Sequence, residues 1–272
     1  LNSSLTGYGD LRRYNTIILP SGSPDLSNYA KDILMDWVKQ GGTLIANNRS
    51  TRSIISNDIG SVKNLNNTFD KSKNFSFDLM REIYSKEEYI DISDANVNIV
   101  STEITYPWET TDITYSKEEL EMRDKWQSTL MPSGGIVSAR ADNEHWLTFG
   151  TEDMVPVLYG NYPILMTGGN SEAALRIGEL LPNKESETKT INWSQIPSGY
   201  DLSVRMSGLV WPEASQRIAN SAYLTREKIG KGQIILFSGE PNFRGSTLGT
   251  NRLWLNAVVY GSGLGTNSLV TP

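Results

Sequence analysis

The chain of 272 residues contains no cysteine. This excludes thiol nucleophiles, disulfide bonds and thiolate-bound metals. Histidine is nearly absent as well, because His145 is the only one. It could join Asp142 or Glu144 around an ion, but a catalytic zinc takes about three protein ligands, and a lone loop histidine is more often a hydrogen-bonded or surface side chain. We therefore expect no metal and no cofactor in this chain.

Positive charge is in the minority, with 25 Lys and Arg against 31 Asp and Glu and a formal net charge of -6. No basic block interrupts this mixture, so we expect no nucleic-acid partner. Long apolar runs are also missing. None approaches the ~20 residues of a membrane-spanning helix, and the N-terminus lacks the segments of a signal peptide. Because the chain begins at Leu1, we expect it to be part of a longer protein.

The first regular pattern predicts a strand, a helix and a second strand. An apolar run at 16–19 stops at Pro20, apolar residues between 26 and 38 recur at helical spacing, and 43–46 form another apolar run. We expect Ser23 to cap the helix and Gly41-Gly42 to end it. Short connections make this a βαβ unit, in which the two strands are parallel.

The composition becomes polar and aperiodic from about residue 47 to 132. We interpret this stretch as an insertion, at the sheet's edge, within a single α/β domain spanning residues 1–272. Within it, residues 116–127 mix acidic and basic side chains, which is typical of a solvated helix.

The second half alternates predicted strands and helices, as a doubly wound α/β fold requires. A hairpin about Gly230-Lys231-Gly232 is expected at one edge of the sheet. The predicted strands lie at 135–139, 155–159, 163–166, 223–225 and 233–237, and the predicted helices at 173–181 and 252–260.

Several segments resemble a known family. Residues 14–20 (Tyr-Asn-Thr-Ile-Ile-Leu-Pro) and 37–46 (Trp-Val-Lys-Gln-Gly-Gly-Thr-Leu-Ile-Ala) resemble the opening of class I glutamine-amidotransferase-like domains. The end of such domains, fused behind bacterial zinc carboxypeptidases, is similar to 230–237 (Gly-Lys-Gly-Gln-Ile-Ile-Leu-Phe), 241–245 (Pro-Asn-Phe-Arg-Gly) and 249–257 (Gly-Thr-Asn-Arg-Leu-Trp-Leu-Asn-Ala). Segments 135–136, 144–146 and 207–213 also fit, whereas the insertion does not.

The resemblance implies a flavodoxin-like core with a mostly parallel sheet, in the C-terminal part of a secreted or periplasmic metallopeptidase. It also implies that the zinc is bound in a separate peptidase domain, which would be this domain's partner. The family's thiol nucleophile cannot be carried over, because the turn after Ala46 offers Asn47, Asn48, Arg49 and Ser50. His145 is followed three residues later by Thr148, so the peptidase's His-x-x-Glu pair is missing too. The leading hypothesis is a non-catalytic accessory domain.

A serine hydrolase is the first alternative. Ser171 lies between a predicted strand and a predicted helix, where a nucleophile elbow would be found, with His145 as its base and Asp201 or Glu213 as the acid. Capping of a helix that begins at Ala173 explains Ser171 more simply, because a cap needs only local geometry.

Two further candidates concern binding. Glu240, Asn242 and Arg244 follow a predicted strand at its carboxyl end, where open α/β sheets bind ligands, although Arg244 could instead pair with Glu240 or Glu213 and hold the loop. A glycan-binding module, recognising cell-wall glycan or peptide through Trp108 and Trp211, is the second alternative function.

Overall fold

The computed structural model describes residues 11–23, 25–65, 116–168, 170–182, 196 and 199–266. The helices of these ranges are α1 (Asn28–Lys39), α2 (Asn48–Ser56), α3 (Lys117–Ser128), α4 (Pro212–Ile218) and α5 (Leu248–Tyr260). The strands are β1 (Thr16–Leu19), β2 (Thr43–Asn47), β3 (Lys63–Asn64), β4 (Gly135–Ala141), β5 (Met154–Tyr159), β6 (Leu165–Met166), β7 (Ser171–Ile177), β8 (Glu179–Pro182), β9 (Tyr200–Ser203), β10 (Arg205–Ser207), β11 (Ala222–Ile229) and β12 (Gly232–Phe237). Short 3-10 turns are formed by Leu11–Arg13, Trp146–Thr148 and Phe243–Gly245.

The predicted βαβ unit is confirmed. β1 and β2 are parallel, with Thr16 beside Thr43 and Leu19 beside Ala46. The expected cap is wrong, however, because Ser27 and not Ser23 begins α1, its side chain accepting a hydrogen bond of 3.2 Å from the Ala30 amide. Ser27 directly precedes the first helical residue, and a cap side chain reaches only the second or third amide beyond it.

The main sheet has the strand order β1-β2-β12-β11-β7-β4-β10. β2 is parallel to both β1 and β12, whereas the pairs β12–β11, β11–β7, β7–β4, β4–β10 and β4–β5 are antiparallel. A separate two-stranded sheet joins β8 and β9. The α/β class is therefore confirmed, with a mixed sheet whose parallel part consists of β1, β2 and β12.

Helices cover both faces of this parallel part. Along β2, Leu44 and Ala46 face the side on which Leu34 of α1 and Ile54 of α2 are buried. Ile45 points to the other face, because successive side chains of a strand alternate. There it shares a core with Leu253 and Ala257 of α5. Full burial of each large aliphatic side chain contributes about 1.5–3 kcal/mol, so both layers stabilise the sheet.

The hairpin of β11 and β12 is confirmed, but its expected position at an edge is wrong. Ile229 pairs with Gly232, so Gly230 and Lys231 form a two-residue turn. β12 is hydrogen-bonded to β2, and β11 to β7, so the hairpin lies inside the sheet. All six residues of β12 are buried, which is typical of a central strand covered on both faces.

The helix predicted at 173–181 is wrong, because this segment forms β7 and β8. Thr225 of β11 pairs with Ala173, and Arg140 of β4 pairs with Arg176 on the other side of β7. Ala, Leu, Arg and Glu favour helices locally, but pairing on both sides overrides that preference. Gly178, with φ 106°, separates the two strands.

The strands predicted at 135–139 and 155–159 and the helix over 252–260 are confirmed, whereas of the strand predicted at 163–166 only Leu165–Met166 is formed. The helix expected at 116–127 is α3, and it is less solvated than predicted, since Gln127 is buried and Asp124 binds the buried Arg217 of α4. Residues 66–115 of the predicted insertion lie outside the described residues. Its first part forms α2 and β3, and α2 packs on β2 and β12.

Candidate functional site

The carboxyl ends of β1, β2 and β12 meet at one edge of the sheet, because these strands are parallel. Open α/β sheets bind ligands at this kind of edge. Pro20 follows β1, Asn48 follows β2, and Glu240 follows β12. These three chain segments frame the candidate site.

The turn from β2 into α2 has no intervening loop. The strand ends at Asn47 and the helix begins at Asn48, whose φ is 46°. Such a left-handed conformation is unfavourable for residues with a side chain, although asparagine tolerates it better than most. Hydrolases expose a nucleophile at a strained strand-to-helix turn of this kind. Here the side chain is an amide.

Three hydrogen bonds attach the first turn of α2 to the strand ends. Asn48 Nδ2 donates to Glu240 Oε1 at 3.2 Å, which joins the ends of β2 and β12. Ser50 Oγ donates to the Pro20 carbonyl at 2.6 Å, and Thr51 Oγ1 donates to the Phe237 carbonyl at 2.8 Å. The edge is therefore fixed by side chains and not only by the strand ladder.

Asn47 is the N-terminal cap residue of α2, yet its side chain makes no capping hydrogen bond. Only 5% of the residue is exposed, and its Oδ1 is buried without a hydrogen-bond partner. A buried acceptor left unpaired costs about 1–3 kcal/mol. Asn47 is therefore an acceptor that the described residues do not satisfy.

Three tyrosines lie beside the end of β12. The ring of Tyr162 covers Gly239, where an added Cβ would be 2.7 Å from Tyr162 Cε2. Tyr159 packs edge to face on Tyr162 with ring centroids 5.6 Å apart. Burial raises the pKa of Tyr159 to about 12. Burial also raises the pKa values of Tyr162 and Tyr223, and the negative charge of Glu240 raises both of them further. The three phenols are therefore neutral near pH 7.

Of the residues predicted to bind a ligand, only Glu240 belongs to this edge. Asn242 and Arg244 are exposed in the following loop, and Arg244 has φ 50°. The Arg244 guanidinium lies 5.1 Å from the centre of the Phe243 ring. Within the described ranges Arg244 forms no ion pair with Glu240 or Glu213, so neither pairing proposed for the loop occurs.

Ser171 is the first residue of β7, so its expected role as a helix cap is wrong. Its hydroxyl donates to the Gly168 carbonyl at 2.7 Å and accepts from the Gly168 amide at 2.8 Å. The neighbouring Glu172 points to the opposite face of the strand. Glu172 Oε2 lies 3.4 Å from His145 Nε2, which places His145 on that opposite face. The structure therefore does not bring Ser171 and His145 together.

The two alternative acids of the hypothetical triad are on separate elements. Asp201 lies in β9 and Glu213 in the first turn of α4. One carboxylate oxygen of Glu213, Oε2, is buried without a hydrogen bond. The described residues contain no group of three His, Asp or Glu side chains with the proximity that a metal ion needs.

The two ring nitrogens of His145 differ, because the buried Nε2 lies 3.4 Å from Glu172 Oε2 but has no hydrogen-bond partner among the described residues. Nδ1 accepts a hydrogen bond of 3.1 Å from the Leu147 amide, which begins the 3-10 turn at 146–148. Its ring stacks on Trp146 at 5.7 Å. Burial lowers the pKa of His145, and the nearby Glu172 and Asp142 oppose this effect only in part. The ring is therefore neutral near pH 7.

The Asn48–Glu240 contact could be anticipated only in part. The polar residues after the buried strand at 43–46 indicated a turn without a nucleophile, and the loop after β12 indicated Glu240. The tyrosines were missed as a site signal, because Tyr159 and Tyr162 come from one region of the sequence and Tyr223 from another.

Together these elements define an α/β domain with a mixed sheet and a polar edge at the ends of its parallel strands. No protein-family model and no curated protein matches the chain. One solved structure that it is similar to is described as cytoplasmic protein STM3548 from Salmonella typhimurium, with a TM-score of 0.40 and 14% sequence identity. The similarity covers 92% of this chain and 72% of that one. No helix of the described residues is both long and apolar enough to cross a membrane.

Proposed function

We propose that this chain is a non-catalytic accessory domain of a zinc-carboxypeptidase-like metallopeptidase. The observation that supports the non-catalytic part is the turn between β2 and α2. Asn48 occupies the strained position there, and its amide is hydrogen-bonded to Glu240. An amide side chain is not a nucleophile, so the turn keeps its backbone geometry without a reactive group.

The histidine of the chain does not lie at this turn either. Nucleophilic catalysis needs a general base within hydrogen-bond reach of the nucleophile and a third group that orients the base. His145, the only imidazole, is bonded to the Leu147 amide and lies beside Glu172 of β7. β7 is separated from β2 in the sheet by β11 and β12.

Ser171 is a poor candidate for an independent hydrolase. Its hydroxyl is already paired with both backbone groups of Gly168, and the histidine lies on the other side of its strand. Activation of this serine would require the loss of both bonds and a rearrangement of β7. A structural role in the turn before β7 explains the same contacts.

The metallopeptidase part of the proposal rests on the resemblance of the two ends of the sequence. In that arrangement the zinc is bound in a separate peptidase domain, which is the partner of this chain, and the protein is secreted or periplasmic. An upstream His-x-x-Glu followed by a distant histidine in the parent polypeptide would support this assignment. A parent without such a motif would contradict it.

The test of inertness is labelling with a fluorophosphonate probe, together with amidase, esterase and peptidase assays on the purified chain. A known serine hydrolase is the positive control. We expect no labelling and no turnover. Turnover that disappears in Ser171→Ala or His145→Gln would overturn the proposal, because both variants leave the Asn48 turn unchanged.

Glycan binding remains a second candidate, since Trp211 is 43% exposed. Flat aromatic rings at the surface suit sugar rings, but single exposed aromatics are common. Trp108, the other tryptophan predicted for this role, lies outside the described residues. A cell-wall polysaccharide pull-down that retains the chain and fails for Trp211→Ala would favour this function. Equal retention of the two proteins would count against it.

A further inference from the structure

The helix α5 is apolar on the side that faces solvent as well as on the side that faces the sheet. Leu253 packs into the core, yet Leu248, Leu255 and Val259 are between 53% and 81% exposed. A surface helix of a globular protein usually carries charged or polar residues on its outer face. In α5, Arg252 is the one charged residue. The outer face of α5 therefore has the composition of a surface that is buried against a partner.

The exposed aliphatic residues of α5 lie in one row. Leu255 and Val259 follow Leu248 by about two and about three helical turns, so the three side chains project in nearly the same direction over about 16 Å. Arg252 lies one turn after Leu248 in the same row, but its Nε donates to the Phe149 carbonyl at 3.1 Å. The charged end of Arg252 is thus bound within the chain. We call Leu248, Arg252, Leu255 and Val259 the α5 ridge.

Two aromatic rings widen this apolar surface beside the ridge. Phe149 and Tyr260 are each nearly half exposed, and they meet edge to face with ring centroids 6.5 Å apart. Asn256 of α5 attaches the turn that carries Phe149, since its Nδ2 donates to the carbonyls of Leu147 and Phe149 at 2.9 Å each. The rings and the ridge therefore form one surface, which the fold presents without any rearrangement.

The exposed apolar area of this surface is close to what a stable dimer needs. The exposed fractions of its three aliphatic and two aromatic side chains correspond to about 400 Å². A standard interface buries about 800 Å² on each partner, of which slightly more than half, about 450 Å², is apolar. Single exposed apolar residues are common on monomers, but a contiguous patch of this size is often functional.

The distribution of charge favours a second copy of this chain as the partner. The chain has a formal net charge of -6, so two copies repel each other at long range. The α5 ridge contains no carboxylate, and its one cation is hydrogen-bonded within the chain. Two ridges can therefore approach each other where this repulsion has no local source. We infer that the chain forms a symmetric dimer in which the α5 ridges of two copies pack against each other.

The two helices of this dimer are antiparallel. In a symmetric interface, a residue that contacts a second residue of the partner is matched by the reciprocal contact. A parallel pair would oppose Arg252 to the partner's Arg252, which brings like charges together. An antiparallel pair places Leu248 against the partner's Val259 and Arg252 against the partner's Leu255. The apolar stem of Arg252 then covers a leucine, and the two guanidinium groups stay apart.

Sedimentation velocity of the full chain tests this inference. Interfaces of standard size bind with micromolar or tighter affinity, so the mass should rise from that of one chain to that of two between about 1 μM and about 100 μM. Sodium chloride should not weaken the association, because it screens the repulsion between two acidic chains. A chain that stays monomeric throughout would overturn the inference, and so would a dimer that dissociates as salt is added.

Two substitutions test the ridge and the antiparallel pairing. Leu248→Lys and Val259→Glu should each weaken dimerisation at least about tenfold, because each buries a charge against an apolar side chain of the partner. The two changes combined in one chain place opposite charges against each other across the interface, so the combined variant should dimerise more tightly than either single variant. A combined variant that dimerises no better than the single variants would overturn the proposed pairing.

Leu209→Glu is the matched control for these substitutions. Leu209 is also more than half exposed, but it lies between β10 and α4. This variant should dimerise like the unmodified chain. A loss as large as that caused by Val259→Glu would contradict the assignment of the interface to α5.

Urea unfolding of the variants, at concentrations where the unmodified chain is monomeric, separates a lost interface from a lost fold. The midpoints should agree with that of the unmodified chain, because the substituted side chains are exposed. A lower midpoint without any change in dimerisation would mean that the chain itself covers the ridge, and the inference would be wrong. If a charged variant does not fold, Leu255→Ala replaces it and should weaken the dimer several-fold; unchanged affinity would again overturn the inference. The test is independent of the proposed lack of catalysis, because it measures mass and not turnover.

Discussion

The side-chain amide of Asn48 and the carboxylate of Glu240 are separated by 192 positions in sequence and by 3.2 Å in space. One follows β2 and the other follows β12, two parallel neighbours. The contact therefore exists only once the sheet is complete. It also satisfies the amide of a residue whose backbone is in an unfavourable conformation.

The first prediction concerns this strained turn. Asn48→Gly removes the hydrogen bond to Glu240 but also removes the penalty of a positive φ, so its free energy of unfolding should stay within about 0.5 kcal/mol of the original. Asn48→Ala loses the hydrogen bond and keeps the penalty, so it should be less stable by about 1–2 kcal/mol. Urea unfolding of both variants measures the difference. Equal stabilities would show that the turn is not strained.

The second prediction concerns the close contact at the start of β12. A Cβ on Gly232 would lie 2.0 Å from the carbonyl oxygen of Val38 and 2.3 Å from that of Gly42. Val38 belongs to the last turn of α1 and Gly42 directly precedes β2, so neither backbone atom can move without displacing the helix or the strand. Gly232→Ala should therefore cost about 3 kcal/mol or more, as overpacking against backbone does.

Gly22→Ala is the matched control for that substitution. No atom lies within 4 Å of a Cβ built at Gly22. Its free energy of unfolding should change by less than about 0.5 kcal/mol. Thermal or urea unfolding of the two variants side by side tests the pair, and similar losses would contradict the packing described at Gly232.

The sequence predicted the elements whose local pattern and tertiary role agree. The run at 16–19, the helix ending near Gly41 and the run at 43–46 are each recognisable alone, and they form β1, α1 and β2. The same holds for α5, where residues 252–260 were predicted as helix.

The predictions from sequence were wrong or incomplete where tertiary pairing opposes the local secondary-structure preference. Residues 173–181 contain strong helix formers, but β7 is hydrogen-bonded to β11 and β4 on its two sides. The hairpin was predicted from its turn residues. Its own sequence, however, does not indicate that β12 pairs with the distant β2. The cluster of Tyr159, Tyr162 and Tyr223 was not predicted for the same reason, because long-range strand pairing brings these three residues together.

The third prediction concerns the attachment of α3. Arg217 of α4 donates from Nε to Asp124 Oδ1 at 2.9 Å and from its Nη2 to Asp124 Oδ2 at 3.2 Å. The Arg217 side chain is only 1% exposed. The guanidinium of Arg217 is buried, and breaking a buried ion pair costs up to about 3–5 kcal/mol. Asp124→Ala should approach that loss.

The control for this pair is Glu118→Ala, which removes a carboxylate from the exposed part of the same helix. It should change the free energy of unfolding by less than about 0.5 kcal/mol. Chemical denaturation monitored by fluorescence measures both variants. If Asp124→Ala is no worse than Glu118→Ala, the contact between α3 and α4 does not contribute to stability.

The last prediction concerns the response to acid through His145. Burial lowers the pKa of this residue in the folded chain below its ordinary value of 6.5. The unfolded chain therefore binds the proton more readily, and stability falls as the pH drops below about 6.5 towards the folded pKa. Above that range the contribution is complete. Protonation of Nδ1 would also remove the acceptor for the Leu147 amide.

His145→Gln isolates this effect, because the chain has no other histidine. The free energy of unfolding, measured by urea titration between about pH 7.5 and 5.5, should decline more steeply for the original chain than for the variant. Carboxylates ordinarily titrate near pH 4, below this pH range, so the difference between the two slopes reports the histidine. If the two slopes agree, the ring is not buried in its neutral form. A steeper decline in the variant would mean that Glu172 stabilises the protonated ring, because its attraction would then exceed the cost of burial.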